Sequence, residues 1–424
     1  MKIFKFGGAS IKDAASILNI LPILKNEARN PLVIVVSAMG KTTNALEKVV
    51  FAHFAGDNAQ AHALLDEVKA YHAEVMHALF PDPKTPVYDH VANTFVEAEW
   101  VLEEDPHEDE GFTYDQIVSV GEILSTYIVT AVLQQNGLPA VWLDARSCIQ
   151  TDNTYREARV DMERSGELIR RHVKIQGEKG FVVTQGFIGG TSENFTTTLG
   201  REGSDYTAAL FGAALSAESV TIWKDVPGVL TADPKLFPTA KKYDELSYAD
   251  AIEMTYYGAT VIHPKTIKPL QNAGIPLLVK PFNAIGEPGT RISETQAQAT
   301  EPAIIIKQNQ LLLSIATKDL SFISEDHLSG IFAQCSATLV RINMMQMSAL
   351  SFSVCVDDQP EKIKKLLALL TQEFSVRYNT GLQLITMRHF HSAMLSELVA
   401  GKEILLEQLS RHTAQVVVRE KTGA

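Results

Sequence analysis

The chain has little cysteine. Cys148, Cys335 and Cys355 are the only three in 424 residues, an odd number, widely spaced and without a CxxC pair. This excludes a disulfide framework and a zinc ribbon, and the expected setting is reducing and cytoplasmic. Positive charge is also in short supply. The 38 Lys and Arg against 50 Asp and Glu leave a net charge of −12, so no basic footprint for nucleic acid is present. No apolar run approaches the ~20 residues that cross a bilayer. The opening MKIFKFGGAS reads directly as a strand and not as a leader, so neither a membrane nor a secretory role is expected. The histidines are scattered with no HExxH spacing, and no protein-held metal is expected. Gly40-Lys41-Thr42 suggests a P-loop, but the glycine that motif needs five positions earlier is Val35.

What is present is a globular composition, 46% hydrophobic and 21% charged, in a chain long enough for about two or three domains. Short apolar runs recur, each followed by a glycine-rich or polar loop. Lys2–Phe6 runs into Gly7-Gly8, Leu32–Val36 into Ser37–Asn44, and Phe181–Thr184 into Gln185–Gly190. Ser219–Trp223 leads to Lys224-Asp225 and two Pro/Gly turns, and Ile275–Lys280 reads as a last strand. Continuous β-branched runs such as LVIVV suit parallel strands buried on both faces. Helical patterns lie between them: Ile11–Ala28, Ala45 to about Leu102 with a break at Pro81–Pro86, Tyr114–Gln135 and Ser247–Tyr257. Alternation of this kind through about residue 292 predicts a mostly parallel sheet sandwiched by helices. In such sheets ligands bind outside the carboxyl ends of strands, where Lys5 stands.

The most informative stretch is Thr196–Leu215, TTTLGREGSDYTAALFGAAL. It reads as a loop entering a helix, with Ser204 and Asp205 as candidate N-caps and an Ala-rich body. The helix start offers free N–H groups to an anion, and Arg201 can grip a carboxylate bidentately. Glu122, in Ser119-Val120-Gly121-Glu122, reads equally as an exposed acid or as a buried one facing a ligand amine.

Residues 293–302 are polar and aperiodic and read as a linker. Beyond them the order is strand Gln310–Thr317, helix Ile323–Cys335, strands Leu339–Met345 and Leu350–Val356, helix Lys362–Glu373 and strand Gly381–Arg388, a ferredoxin-like βαββαβ. A helix at Glu403–Leu409 and a strand at Ala414–Arg419 follow. The expected division is therefore 1–292, a 293–302 linker, and 303–424.

KFGGAS, VSAMGKTTN, SVGE, TLGREGSDYTAAL, WKDVPGVLTADPK and GATVIHP occur here in that order. Together they resemble aspartate kinase, of the amino-acid-kinase family, with a C-terminal pair of ACT-type modules. The match covers essentially the whole chain. The resemblance implies ATP-dependent phosphorylation of the β-carboxylate of L-aspartate to 4-phospho-L-aspartate, the entry to lysine, threonine and methionine synthesis. It implies that Lys5 meets the transferring phosphate with the Gly7 and Gly8 backbone, and that Asp205 completes the site. Ser37, Thr43, Glu122, Arg201 and Ser204 would face the substrate, with Arg201 on its α-carboxylate and Glu122 on its α-ammonium. Lys224, Asp225, Leu230, Lys235 and Thr260 would lie on the nucleotide side, with Mg2+ held mostly by ATP and water. The nucleophile is already ionised at neutral pH, so no general base is required, only positioning and charge neutralisation.

Three positions depart from the pattern. Glu202 stands where glycine is usual, Thr260 where a lysine is frequent, and Leu230 where an aromatic is common. Lys224 is expected to supply the missing cation. In the tail, modules of about 310–388 and of 303–309 plus 382–424 are expected, the second shortened. They would pair in a homodimer, with lysine or threonine as a possible effector. The methionine-rich Ile342–Ser348 is expected to serve packing more than a ligand. The chain ends at residue 424 without a dinucleotide fingerprint, so a monofunctional kinase is expected. Rival readings are another carboxylate kinase of this fold and a weakened kinase acting as an amino-acid sensor.

Overall fold

The computed structural model describes the chain except residues 27–30, 179, 260, 261, 296–300, 320 and 422–424. Two compact units emerge. The first comprises Met1–Val229, Lys242–Ile252 and Val261–Gln298, and the second Leu230–Lys241, Glu253–Thr260 and Ala299–Ala424. A single boundary near residue 292 was the simpler expectation. Two short excursions join the second unit because its two long strands engage them. Ile304 N donates to Thr231 O at 2.7 Å, and Arg388 pairs with Glu253. Half of the expected linker, residues 296–300, lies outside the described residues.

The first unit is built on strands β1 (Lys2–Phe6), β2 (Leu32–Val36), β3 (Ala140–Leu143), β4 (Phe181–Gln185), β5 (Ile188–Gly190), β6 (Thr196–Thr198), β7 (Ser219–Lys224), β8 (Glu245–Ser247), β9 (Leu277–Pro281) and β10 (Thr290–Ser293). Eight of them form one sheet in the order β3-β4-β2-β1-β7-β9-β10-β8, while β5 and β6 make a separate hairpin. The run from β3 to β9 is parallel, and β10 is antiparallel to β9. Strands β8 and β10 are too short to show as apolar runs and extend the edge beyond the expected last strand. Every residue of β2 is buried, as a central strand covered on both faces requires.

Helices Thr42–Phe54, Asn58–Leu79 and Val87–Glu103 fill the region read as helical, and the Pro81–Pro86 segment separates the last two. The expected helix from Tyr114 starts earlier and is interrupted at Ser119, giving Glu110–Val118 and Val120–Gln135. Taken as one stretch, Glu110–Gln135 is the single helix among the described residues long and apolar enough to cross a membrane. This amends the expectation that no such run exists. With 83% of its apolar window buried inside the unit, it reads as a core helix.

The second unit carries strands β11 (Ala303–Thr317), β12 (Ile342–Met347), β13 (Phe352–Asp357), β14 (Phe374–Arg388), β15 (Lys402–Leu409) and β16 (Thr413–Glu420). They form one sheet, β12-β13-β11-β14-β16-β15, antiparallel throughout. The two long strands pair end to end, from Ala303 with Arg388 to Thr317 with Phe374, so each serves two ferredoxin-like halves. The first half carries helices Glu325–Ala337 and Pro360–Glu373, and the second, among the described residues, carries only Ser392–Val399. Glu403–Leu409, expected as a helix, is an edge strand. Its good helix formers yield to pairing with the valine-rich β16. A bulge between Ile404 and Leu406 lets adjacent Leu405 and Leu406 pack against the same cluster of Leu312, Met344 and Val417. The methionines divide: Met344 is buried, whereas Met345 and Met347 are about half exposed.

Candidate active site

Four parallel neighbours, β4, β2, β1 and β7, end level with one another. Phe6 pairs with Val36 and Trp223, and Val36 with Gln185. Their loops therefore emerge side by side. The loops after β1 and β2 interlock, with Gly40 N donating to Gly8 O at 3.0 Å. A Cβ at Gly8 would stand 2.7 Å from Gly40 O, so only glycine allows that approach. On the other side, Gly186 abuts the Gly203–Ala214 helix so closely that a Cβ there would lie 2.4 Å from Ser204 Cβ.

The helix does not begin with a Ser or Asp cap. Its N-cap is Glu202, in the left-handed region at φ 53°, with no side-chain capping bond. Gly203 is the first helical residue, and Ser204 and Asp205 fall inside the first turn. The reversal at Gly200 (φ 75°) and Glu202 brings the helix start onto Gly186, and this shifts the cap upstream of the residues that favour it. Asp205 is thereby directed to the strand ends. Its Oδ1 lies 2.6 Å from Lys5 Nζ, and its Oδ2 lies 3.4 Å from Lys224 Nζ. Burial by itself would raise the Asp205 carboxyl, but the two ammonium groups hold it below the usual carboxylate range. Lys5 is 7% exposed and Asp205 2%, so this is a buried ion cluster and not a surface pair.

Glu122 is the buried acid of its two readings. It is 2% exposed, and its Oε1 accepts from Ala38 N at 3.2 Å. Its Oε2 is buried without a hydrogen-bond partner. Burial pushes its carboxyl up to about 8, against the Ala38 hydrogen bond and the charge of Lys5. Glu202 Oε2 is likewise buried and unpartnered. Burial raises that carboxyl, with Asp205 adding to the effect and Lys224, Lys5 and Arg201 opposing it.

The structure thus gathers Lys5, Gly7, Gly8, Glu122, Ser204, Asp205 and Lys224. Ser37 follows β2, donating its N–H to Phe6 O and accepting at its carbonyl from Ser125 Oγ at 2.7 Å. Thr43 is the half-buried second residue of the Thr42–Phe54 helix. Arg201 is exposed on the turn before the helix, and Asp225 is exposed directly after β7. Leu230 and Lys235 belong to the second unit, where Lys235 N donates to Asp233 Oδ1 at 2.9 Å. Thr260 lies outside the described residues. Among the described residues no group of three His, Cys, Asp or Glu could hold a metal ion. Gly186 was legible only as part of a glycine-rich loop. Its contact with Ser204, on a segment 18 positions away, leaves no mark in the sequence.

Residues 1–281 match the model of the Amino acid kinase family. Lysine-sensitive aspartokinase 3 of Escherichia coli K12 is 31% identical over 359 residues, 84% of this chain and 78% of that one. The chain belongs to the amino acid kinase family, among the aspartokinases. The crystal structure of E. coli aspartokinase III with aspartate and ADP (R-state) superposes with a TM-score of 0.83 at 26% identity, covering 99% of this chain and 96% of that one. The same enzyme with lysine and aspartate (T-state) gives a TM-score of 0.81, at the same identity and coverage. A chloroplastic bifunctional aspartokinase/homoserine dehydrogenase 2 of Arabidopsis thaliana is 28% identical over 393 residues, and this chain spans 42% of its length. The amino acid kinase match spans the strands whose ends carry the Lys5–Asp205–Lys224 cluster.

Proposed function

We propose that this aspartokinase transfers the γ-phosphoryl group of ATP to the β-carboxylate of L-aspartate, giving 4-phospho-L-aspartate and opening the route to lysine, threonine and methionine. The observation that carries the reading is the buried Lys5–Asp205–Lys224 cluster, set where four parallel strands end and one helix begins. Nucleophile and phosphoryl donor are both anions, so the site must offset their repulsion and hold them in line. Lys5 stabilises charge on the transferring group, and Asp205 orients both lysines. The glycine loops bring backbone N–H groups close, and the first turn of the Gly203–Ala214 helix adds a positive dipole end. Arg201 clamps the α-carboxylate of aspartate, Glu122 receives its α-ammonium, and Ser37, Thr43 and Ser204 line the amino-acid side. Lys224, Asp225, Leu230, Lys235 and Thr260 serve the nucleotide.

Magnesium fits only as an ion carried on the phosphates. Asp205, the carboxylate deepest in the cluster, is already engaged by two lysines, and no three-ligand set accompanies it among the described residues. When bound, the ion would neutralise phosphate charge. The second unit serves regulation. The ferredoxin-like strand order of its two halves supports an ACT-type reading, and lysine, present in the T-state relative, is the proposed effector. Pairing of two chains through these halves gives the proposed homodimer. Three buried free cysteines support a cytoplasmic setting.

A hydroxamate assay with ATP and a panel of acids tests the reading. Activity with L-aspartate that exceeds activity with N-acetyl-L-glutamate or L-glutamate supports it. No turnover with aspartate refutes it and favours a sensor. Repeating the assay with lysine and threonine, alone and together, tests the effector.

A further inference from the structure

Arg201 stands three residues after Thr198, the last residue of β6, and that strand is held by a residue with no part in the phosphoryl chemistry. Asp115 is 0% exposed and lies on the Glu110–Val118 helix. Its Oδ2 accepts from Thr198 N at 2.8 Å and its Oδ1 from Thr198 Oγ1 at 2.6 Å. Both oxygens also accept from Arg156 N, at 3.1 and 3.0 Å. One carboxylate therefore ties the helix both to β6 and to the Arg156 segment, which runs beside it with Ala158 N donating to Thr198 O at 2.9 Å. Arg156 continues the contact, for a Cβ at Gly200 would lie 3.3 Å from its carbonyl oxygen.

Backbone strain gathers at the same place. Arg156 (φ 69°), Phe187 (φ 70°) and Glu202 (φ 53°) are non-glycine residues in the left-handed region. Phe187 packs against Gly203, where a Cβ would stand 2.8 Å from the Phe187 ring. Left-handed residues of this kind persist when their surroundings over-determine them, and they cluster at ligand clamps. A charged acceptor with three donors is a strong restraint, because each bond to an ionised group exceeds a neutral one.

We propose that Asp115 is a positioning residue that fixes the Arg201 turn, and so sets the enzyme's affinity for the amino-acid substrate without touching it. The proposal rests on the reading of Arg201 as the α-carboxylate clamp. An asparagine at 115 keeps the volume but leaves one acceptor oxygen, and its NH2 would face an N–H or hydroxyl donor.

The test is steady-state kinetics on the full chain. Asp115→Asn should raise KM for aspartate at least fivefold while KM for ATP stays within twofold. Thr198→Val, which deletes only the 2.6 Å hydroxyl bond, should shift KM for aspartate in the same direction, and Thr198→Ser should restore it. If Asp115→Asn does not fold, the Thr198 pair decides: equal KM values for Val and Ser overturn the proposal. A folded Asp115→Asn with wild-type KM for aspartate, or with both KM values raised alike, overturns it as well. Arg201→Ala separates the two layers. Unchanged KM for aspartate in that variant removes the reading on which the proposal rests. A raised KM there, beside an unimpaired Asp115→Asn, defeats the positioning role alone.

Discussion

Glu122 should make aspartate binding depend on pH. Its carboxyl is buried and pushed up to about 8, so in the free enzyme about 9% is ionised at pH 7 and about 76% at pH 8.5. An α-ammonium group binds the ionised form. Deprotonating Glu122 at pH 7 costs about 1.4 kcal/mol, which binding must offset. It follows that kcat/KM for aspartate should rise about eightfold between pH 7 and 8.5 and then level off. The assay is coupled ADP release at saturating ATP, with aspartate varied at each pH. Glu122→Gln keeps an oxygen to accept from Ala38 N but cannot ionise, so its profile should lose this limb. A wild-type profile that is flat from pH 6.5 to 8.5, or the same limb surviving in Glu122→Gln, refutes the reasoning. The sign for stability is opposite to that for binding. The fold favours the protonated form, so this group's contribution is greatest at low pH and declines as pH rises from about 4.5 through 8. At pH 7 the Gln variant, which has no charge to desolvate, should be the more stable of the two, as read by denaturant unfolding.

Glu202→Gly removes a left-handed non-glycine residue and a buried unpartnered carboxylate oxygen, so the first unit should gain about 1 kcal/mol. Its melting temperature should rise by about 2–4 °C, and a fall in differential scanning fluorimetry would contradict this. Gly186→Ala places a Cβ 2.4 Å from Ser204 Cβ, which forces the helix start away from the strand ends. Turnover should drop about tenfold or more, whereas Gly177→Ala, with no atom within 4 Å, should leave it unchanged. Lys5→Ala should lower turnover about 100-fold, because Lys5 stabilises charge in the transition state. Lys224→Ala should raise KM for ATP, and an unchanged KM with unchanged turnover would remove Lys224 from the nucleotide side.

The sequence by itself determined the local pieces. Apolar β-branched runs such as Leu32–Val36 can satisfy burial on both faces only as central strands, Gly8 allows a close backbone approach and Gly40 a left-handed conformation that other residues resist. The order of six motifs led to the family, and the alternation of strand and helix led to the parallel sheet. Tertiary structure decided whatever depends on distant partners. Lys5 and Asp205 are 200 positions apart, and only the register of β1, β2 and β7 with the Gly186–Ser204 contact brings them within 2.6 Å. Glu122 remained ambiguous because the same four residues suit an exposed or a buried acid, and desolvation is a property of what surrounds them. The cap of the Gly203–Ala214 helix moved to Glu202 because close packing outweighed capping preference. Glu403–Leu409 became a strand because β16 offered a partner that no local propensity records.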